Sequence, residues 1–308
     1  MVVVLAGGTG GAKLAAGMYE VLGPGELTVI ANTGDDIEIY GVHVSPDPDL
    51  VTYWLAGMID ERGWGIAGDT WRAMERLDDE PWFRLGDRDL ELCALRTRLM
   101  RDGARQTQAH AAVVDACGVQ ASVLPMSDAP VRTHVRTRGE WLEFQRFMIV
   151  ERAAAPIEDV ELRGIDDAAP PPEALDAIAA ADAIVIGPSN PIISIGPILA
   201  VPGMREALTA AHAPVVAVSP FVGGRAVKGP TDAFMDQAGF ECSAGGITRL
   251  YAGLLDGIVS DEERAGPLPI PALTTDTLMD SDAARRRVAA EVLGFASSLG
   301  AAEPGQTP

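Results

Sequence analysis

The chain opens with a strand, a glycine loop and a helix, and this segment restricts the available folds more than any other. Val2–Ala6 is a β-branched, apolar run typical of a buried strand, and Gly7–Gly11 follows it directly. Lys13–Val21 then carries apolar residues at helical spacing, and Leu27–Ala31 is a second apolar run. This order predicts a βαβ unit with two parallel strands.

The same alternation of strands and helices returns in the second half of the chain. Three apolar runs there are typical of strands: Ala183–Ile186, Pro214–Val218 and Gly257–Val259. Hydrophobic residues make up 47% of the chain and aromatic residues only 5%, so Ala, Val, Ile and Leu build the interior, as in buried parallel strands. We therefore predict an α/β fold with a Rossmann-like, doubly wound, mostly parallel sheet.

One region departs from this alternation. Residues 50–112 carry helical spacing almost throughout and show no convincing strand. They predict a small inserted helical subdomain, and residues 1–49 and 113–308 then form the Rossmann-like α/β domain.

Two later segments also depart from the alternation. Val131–Thr137 and Trp141–Ile149 have alternating patterns and predict a β-hairpin. Between Ala154 and Glu173 the chain is rich in Pro and Asp, which predicts a connection across the surface.

Charge and composition exclude several classes of function. The formal net charge is −20 and no Lys/Arg-rich run occurs, so neither nucleic acid nor an anionic membrane is an expected partner. The cysteines Cys93, Cys117 and Cys242 lie far apart without a CxxC motif, which argues against a disulfide framework or a zinc site. Neither a signal peptide nor an apolar run of about 18 residues is recognisable, so we expect a cytoplasmic protein.

The glycine loop is a candidate phosphate site. Gly8, Thr9, Gly10 and Gly11 lie between the first strand and the first helix, where backbone N–H groups can approach a phosphate, and Lys13 adds a positive charge. The loop is neither a Walker A motif nor a complete GxGxxG. A turn that merely requires glycines is the alternative.

Acidic residues follow the second strand. Asp35 and Asp36 come directly after it, at the edge of the sheet where open α/β folds bind ligands. Two adjacent carboxylates suit Mg²⁺, which takes one or two carboxylates together with phosphate oxygens. A ribose contact and a simple turn are the alternatives. Asp47 and Asp49 come a dozen residues later, in what the flanking prolines predict to be a rigid turn.

Arginines and the loop after a later strand supply further candidate residues. Arg88 lies in a charged stretch ahead of a predicted helix that carries Arg96 and three further arginines, which form either a solvated face or the lining of a cleft. After a later strand, Ser189 and Asn190 are candidate hydrogen-bonding ligands in GPSNP, and a purely structural proline turn is the alternative.

A glycine-rich loop follows the next predicted strand. It contains Gly224, Arg225 and Lys228, and we predict a mobile lid that binds either a diphosphate or a base. Its flexible backbone and two cations are suited to binding phosphate oxygens.

Taken together, these segments resemble the 2-phospho-L-lactate transferase family, whose members act in the biosynthesis of the deazaflavin coenzyme F-420. The similar segments read AGGTGGAKLA, ANTGDDIEIYGVHVSPDPDLVTYWLAG, RGWGIAGDTW, LGDRDL, LPMSD, IGPSNPIISIGPIL, VPGMREAL and SPFVGGRAVKGP. They extend from Val2 to about Leu278, nearly the whole chain.

The resemblance implies a Mg²⁺-dependent transfer. A guanosine-diphospho-linked acid would donate its phospho-acid portion, of the 2-phospho-L-lactate or phosphoenolpyruvate type, to the ribityl hydroxyl of 7,8-didemethyl-8-hydroxy-5-deazariboflavin, releasing GMP. By motif, Asp35 matches the acid that the family associates with Mg²⁺, and Asp49 and Arg88 match deazaflavin-binding positions. The glycine loop, GPSNP and the later glycine-rich loop match the guanosine diphosphate side.

The chain departs from the family pattern at two positions. It has Pro48 where many members have Leu, and Cys93 where a histidine is usual, so no role is assigned to position 93. In the implied mechanism Asp35, with help from Asp36, holds Mg²⁺, while Asp49 orients or deprotonates the attacking hydroxyl. A homodimer is expected on base rates alone.

Two other functions are separated from this one by motif. Non-catalytic relatives of similar fold bind nucleotide sugars as regulators, but their motif after the second strand is closer to ADDGGSSG than to GDDIEIYG. A nicotinamide dehydrogenase requires a complete GxGxxG and a catalytic histidine or Tyr-Lys pair, and the chain shows neither.

Overall fold

The computed structural model describes residues 1–77, 81–227, 229–262 and 267–300. Its strands are β1 (Val2–Ala6), β2 (Leu27–Ala31), β3 (Ile37–Ile39), β4 (Val42–Val44), β5 (Ser122–Pro125), β6 (Arg132–Thr137), β7 (Glu140–Glu143), β8 (Asp159–Arg163), β9 (Ala183–Ile186), β10 (Val215–Val218), β11 (Phe221–Val222), β12 (Arg225–Ala226), β13 (Gly257–Ser260) and β14 (Ala272–Thr274). Its α-helices are α1 (Gly8–Val21), α2 (Pro46–Leu55), α3 (Asp87–Arg101), α4 (Gln106–Ala116), α5 (Phe144–Ile149), α6 (Pro172–Ala179), α7 (Gly196–Ala200), α8 (Met204–Ala210), α9 (Thr231–Gln237), α10 (Ala244–Leu250) and α11 (Asp282–Gly300). A π-helical segment, Pro191–Ile195, precedes α7.

A parallel sheet organises the described residues and confirms the predicted α/β fold. Its seven strands run in the order β14-β13-β10-β9-β1-β2-β5, and every pair is parallel. The chain moves from β1 to one side through β2 and β5, whereas β9 and the later strands lie on the other side. The carboxyl ends of β1 and β9 therefore flank the topological switch point, where open α/β sheets bind ligands.

Two apolar layers enclose the sheet, because successive strand residues face opposite sides. Val2 and Val4 face α1, α2 and α11, whereas Val3 and Leu5 face the layer that contains α6, α8 and α10. All five residues of β1 are buried, so the chain's first segment forms the centre of the core.

Two sequence predictions for the middle of the chain need correction. The predicted hairpin forms as β6 and β7, but Phe144 begins helix α5 instead of continuing the second strand. The stretch predicted as a surface crossing contains β8, which pairs with β6 and completes a three-stranded antiparallel sheet. Alternating exposure along β8 is a strand pattern, and the prolines and aspartates around it obscured that pattern.

The acidic proline segment is helical, which corrects the predicted rigid turn. Helix α2 begins at Pro46, and proline is well suited to this position because the first helical N–H has no intrahelical partner. Asp47 and Asp49 therefore occupy the first helical turn. Helix α2 packs on α1 and β5.

The predicted division of the chain into an inserted helical subdomain, residues 50–112, and a surrounding α/β domain stays a prediction.

No single helix in the described ranges is long and apolar enough to cross a membrane. The segments Pro191–Ala200 and Met204–Ala210 pass that test only as a pair, and they meet at 83°. Buried side chains of both segments belong to one apolar layer of the sheet.

Candidate functional site

The glycine loop packs tightly against the loop that follows β9. The N–H of Gly7 donates to the Oγ of Ser189 at 3.0 Å. A Cβ atom at Gly10 would lie 2.1 Å from the carbonyl oxygen of Pro188, and one at Gly11 would lie 2.4 Å from the Oγ of Ser189. Gly8 has a φ of +60°. The glycines are thus required both for contact with GPSNP and for backbone geometry, and the two predicted nucleotide loops meet at the switch point.

Asp47 closes this loop from the opposite side, and it was absent from the predicted site residues. Its Oδ1 accepts from the N–H of Gly8 at 2.6 Å, and its Oδ2 accepts from the Nδ2 of Asn32 at 2.9 Å. Burial raises the pKa of Asp47 to about 6, although the bonds from Asn32 and Gly8 oppose the rise. The carboxylate therefore lies where the glycine loop offers an N–H to an anion.

Asp35 has no donor for one of its buried oxygens. The side chain is buried, and among the described residues its Oδ1 makes no hydrogen bond. Burial, followed by the negative charges of Asp47 and Asp36, raises its pKa well above the ordinary range. A buried acceptor without a donor, next to other carboxylates, fits a divalent cation with oxygen ligands. The assignment of Asp35 to Mg²⁺ stays a prediction.

Asp36 is bonded on both carboxylate oxygens. Its Oδ1 accepts from the Oγ of Ser45 at 2.7 Å, and its Oδ2 accepts from the Nε2 of Gln106 at 2.7 Å and lies 2.9 Å from the Nε2 of His43. Burial opposes protonation of His43, but its bonds to Asp36 and Glu38 prevail and raise its pKa to about 9. A protonated His43 leaves Asp36 compensated, so Asp36 is less available than Asp35 to a metal ion.

Asp49 faces a different part of the molecule from Asp47. Both of its oxygens bind the guanidinium of Arg96, at 2.5 and 2.9 Å. The thiol of Cys93 lies 3.9 Å from Asp49 and 3.8 Å from Asp89, and burial followed by the charge of Asp49 raises the pKa of this thiol well above its ordinary value. Cys93 is therefore a protonated, buried side chain between these two carboxylates.

Arg88 lines an open groove beside α3. The groove has a volume of about 580 Å³, and its lining comprises Met58, Arg88, Glu91, Leu92, Ala94, Leu95, Arg98, Ala116 and Cys117. Asp49 is not among these residues, so the two positions predicted to bind the deazaflavin do not share this groove. The Nη1 of Arg88 donates to the carbonyl of Ala67 at 3.4 Å.

Asn190 and Lys13, two further residues of the predicted nucleotide site, bind backbone groups of the chain itself. Asn190 accepts from the N–H groups of Ile192 and Ile193 and so begins the π-helical segment. Lys13 donates to the carbonyl of Met279 at 2.9 Å and lies over the ring of Trp54.

The predicted lid forms a short hairpin of β11 and β12. Gly224 lies at its tip with a φ of +73°, and Arg225 is exposed on β12. Lys228 lies outside the described residues. The hairpin follows β10, the strand beside β9, which brings it to the same edge of the sheet as GPSNP.

A sequence model of the family described as 2-phospho-L-lactate transferase CofD matches residues 2–288, nearly the whole chain. The chain belongs to this family. It is thus a transferase of the CofD type, which acts in coenzyme F-420 biosynthesis. The matched residues include the glycine loop and both acidic stretches described above.

Individual relatives carry two different names. A 2-phospho-L-lactate transferase of Methanosarcina mazei is 40% identical over 91% of this chain and 95% of its own length. A phosphoenolpyruvate transferase of Kitasatospora aureofaciens is also 40% identical, over 94% of this chain and 97% of its own length. Sequence identity therefore does not distinguish between transfer of 2-phospho-L-lactate and transfer of phosphoenolpyruvate.

The fold also occurs in solved structures. A member of the UPF0052 family from Bacillus halodurans superposes with a TM-score of 0.61 at 18% identity, over 95% of this chain and 98% of that chain. At this identity the likeness concerns the fold alone.

Proposed function

We propose that this transferase moves a phospho-acid group from a guanosine-diphospho-linked donor to the ribityl hydroxyl of 7,8-didemethyl-8-hydroxy-5-deazariboflavin. The hydroxyl oxygen bonds to the phosphorus that carries the acid, the P–O bond to GMP breaks, and the hydroxyl proton is released. The observation that carries the proposal is the buried carboxylate of Asp47 at the glycine loop, with the buried Asp35 close enough for their charges to interact. Carboxylates beside a helix N-terminus suit a diphosphate held through a divalent cation.

Each side of the site has a part in this transfer. When bound, Mg²⁺ supplies positive charge to the diphosphate and to the departing GMP. Asp35 and Asp47 would hold this ion. The N–H groups of residues 9–11 at the helix N-terminus would stabilise the phosphate oxygens, since the N–H of Gly8 is bonded to Asp47. Asp36 keeps the acidic segment in place through Ser45, His43 and Gln106.

The acceptor side is assigned from the family and from charge. We assign the open groove with Arg88 to the deazaflavin ring, because its apolar lining and guanidinium groups suit a planar ring system. Asp49 is bonded to Arg96 on both oxygens and does not line this groove, so its part in orienting the hydroxyl stays a prediction. Arg225 would supply a cation to the donor diphosphate. Phosphoryl transfer depends chiefly on such positioning and on charge neutralisation.

The decisive experiment combines the purified chain with Mg²⁺, the deazaflavin and guanosine-diphospho-linked 2-phospho-L-lactate or phosphoenolpyruvate. Mass spectrometry of the product identifies which acid is transferred, and GMP release gives the rate. We expect one coenzyme F-420 precursor and stoichiometric GMP. Nucleotide binding without any product from either donor would contradict the proposal and favour the non-catalytic, nucleotide-binding alternative.

A further inference from the structure

Arg96 is a charged side chain that is completely enclosed. It is 0% exposed, and it donates to both oxygens of Asp49 and, through Nη2, to the carbonyl oxygen of His43 at 2.8 Å. Its Nε has no hydrogen-bond partner among the described residues. Longer contacts of 3.5 Å reach the Nδ1 of His110 and the Sγ of Cys93. The shortest bonds of the guanidinium therefore all go to one short segment, residues 43–49.

Stability alone does not account for this arrangement. Removing two charges from water costs much of what their attraction returns, so a buried ion pair is often no more stabilising than apolar residues of similar volume. The unpartnered Nε of Arg96 adds to that cost. What the fork of a guanidinium provides in addition is geometry, because two parallel bonds fix a carboxylate in position and orientation.

The geometry reaches the glycine loop through helix α2. Asp47 and Asp49 are two residues apart in its first turn, so at 3.6 residues per turn their side chains leave the helix on nearly opposite sides. Asp49 points to Arg96, and Asp47 points to the N–H of Gly8 and to Asn32. When Arg96 holds Asp49, the orientation of the helix also determines the direction of the Asp47 side chain.

Arg96 also holds the chain on the other side of this turn. Its bond to the carbonyl of His43 lies before Ser45, and its bonds to Asp49 lie after it. The side chain of Asp36 is tied to the same segment through Ser45 and His43. The guanidinium of Arg96 thus binds the chain on both sides of Ser45, at His43 and at Asp49.

We propose that Arg96 is a positioning residue, which holds the first turn of α2 so that the Asp47 carboxylate stays at the glycine loop. The inference rests on the proposed function, because it gives Arg96 a part in binding the donor diphosphate and its cation. Arg96 acts through Asp49 and contacts neither the glycine loop nor Asp35 among the bonds described. Its replacement is therefore expected to weaken Mg²⁺-dependent nucleotide binding in a chain that still folds.

The test measures GDP binding by calorimetry with and without Mg²⁺. Arg96→Lys keeps the charge but lacks the planar fork. We expect it to weaken GDP binding in Mg²⁺ by about tenfold or more, as the loss of a group that orients a metal ligand does. Binding without Mg²⁺ is expected to change less than twofold, on the same basis, because the metal ligands are then not engaged.

A second variant keeps the test valid if the lysine variant does not fold. The double variant Asp49→Leu with Arg96→Met replaces the ion pair by apolar side chains, which preserves folding in other buried pairs. It has lost the fork, so the same loss of Mg²⁺-dependent affinity is expected. Arg249→Lys serves as the matched control, because Arg249 forms an exposed ion pair with Glu241.

The outcomes separate the two proposals. If the folded Arg96 variants bind GDP in Mg²⁺ as tightly as the natural chain does, the positioning role is wrong. The proposed function is not affected by that outcome. Equal weakening with and without Mg²⁺ would also overturn the positioning role, because that is the effect of a generally loosened fold. If the natural chain binds no GDP at all, the proposed function fails and the inference fails with it.

Discussion

At the scale of single residues, the three buried acids near the glycine loop differ in the donors that surround them. Asp36 has donors on both oxygens, Asp47 accepts from two N–H groups, and Asp35 has an oxygen with no donor among the described residues. An ionised carboxylate without partners is costly in a protein interior. Asp35 is consequently the acid that gains most from a cation.

Asp35→Asn tests this ordering. We expect kcat to fall by roughly 10²- to 10³-fold, since metal ligation supplies several kcal/mol of transition-state stabilisation. The free energy of unfolding without Mg²⁺ is expected to stay equal or to rise, because the amide removes a buried charge whose pKa is raised. Asp115→Asn, an exposed change on α4, is the control. Unchanged turnover in Asp35→Asn would refute the metal assignment.

Asp47 predicts a pH dependence of stability. Its folded pKa is about 6 against an ordinary 3.8, so the stability it contributes is present below the ordinary pKa and is lost as the pH rises through about 6. The total loss is about 3 kcal/mol, of which roughly half falls between pH 5 and 8. Asp47→Asn should remove this part of the slope. Denaturant titrations without Mg²⁺ at several pH values measure it, and parallel stability curves for the two proteins would contradict the prediction.

At the scale of elements, the contact between the glycine loop and GPSNP sets the spacing of the site. Gly10→Ala places a Cβ 2.1 Å from a backbone oxygen, so one loop must move. We expect a loss of about 1–3 kcal/mol of stability and a fall of about 10²-fold in turnover, because misplacement by about 1 Å has that effect.

The control for that change is Gly294→Ala in helix α11. No atom lies within 4 Å of a Cβ atom there, so we expect a gain of about 0.5–1 kcal/mol from the alanine. Thermal unfolding and steady-state rates measure both variants. If Gly10→Ala were as harmless as Gly294→Ala, the loop contact would not determine the spacing.

The sequence allowed the sheet to be predicted because each central strand is an uninterrupted apolar run next to a glycine or a helix. It did not reveal that Asp47 and Asp49 point in opposite directions, because the prolines around them favour a turn as much as a helix start. Nor did it separate Arg96 from its exposed neighbours on α3, since burial of one arginine in a row depends on which face the helix packs. Orientation on a helix requires the tertiary contacts.

At the scale of the whole molecule, the charge of the chain opposes its proposed substrates. The net charge of −20 repels an anionic donor at long range, and only the local cations and helix N-terminus attract it. Salt weakens the long-range repulsion more than the short-range attraction, because charges are screened most strongly at separations above the Debye length. Binding of the donor should therefore respond to salt in the direction opposite to that of a positively charged enzyme.

We expect the association rate of GDP to rise a few-fold when ionic strength increases from about 0.01 to about 0.15 M at constant free Mg²⁺, as the Debye length falls from about 30 to about 8 Å. Stopped-flow measurements give this rate. A decrease with salt would mean that the local cations dominate at long range, contrary to the argument.

The central place of β1 also determines when the protein can first work during its synthesis. Val2 pairs with Ala183, although some 180 residues separate them along the chain. At typical elongation speeds of about 5–20 residues per second, the ribosome needs roughly 10–40 s to make that stretch. The glycine loop therefore leaves the exit tunnel long before the strand that completes its surroundings, and a nascent chain passes this interval with one edge of its central strand unpaired by β9.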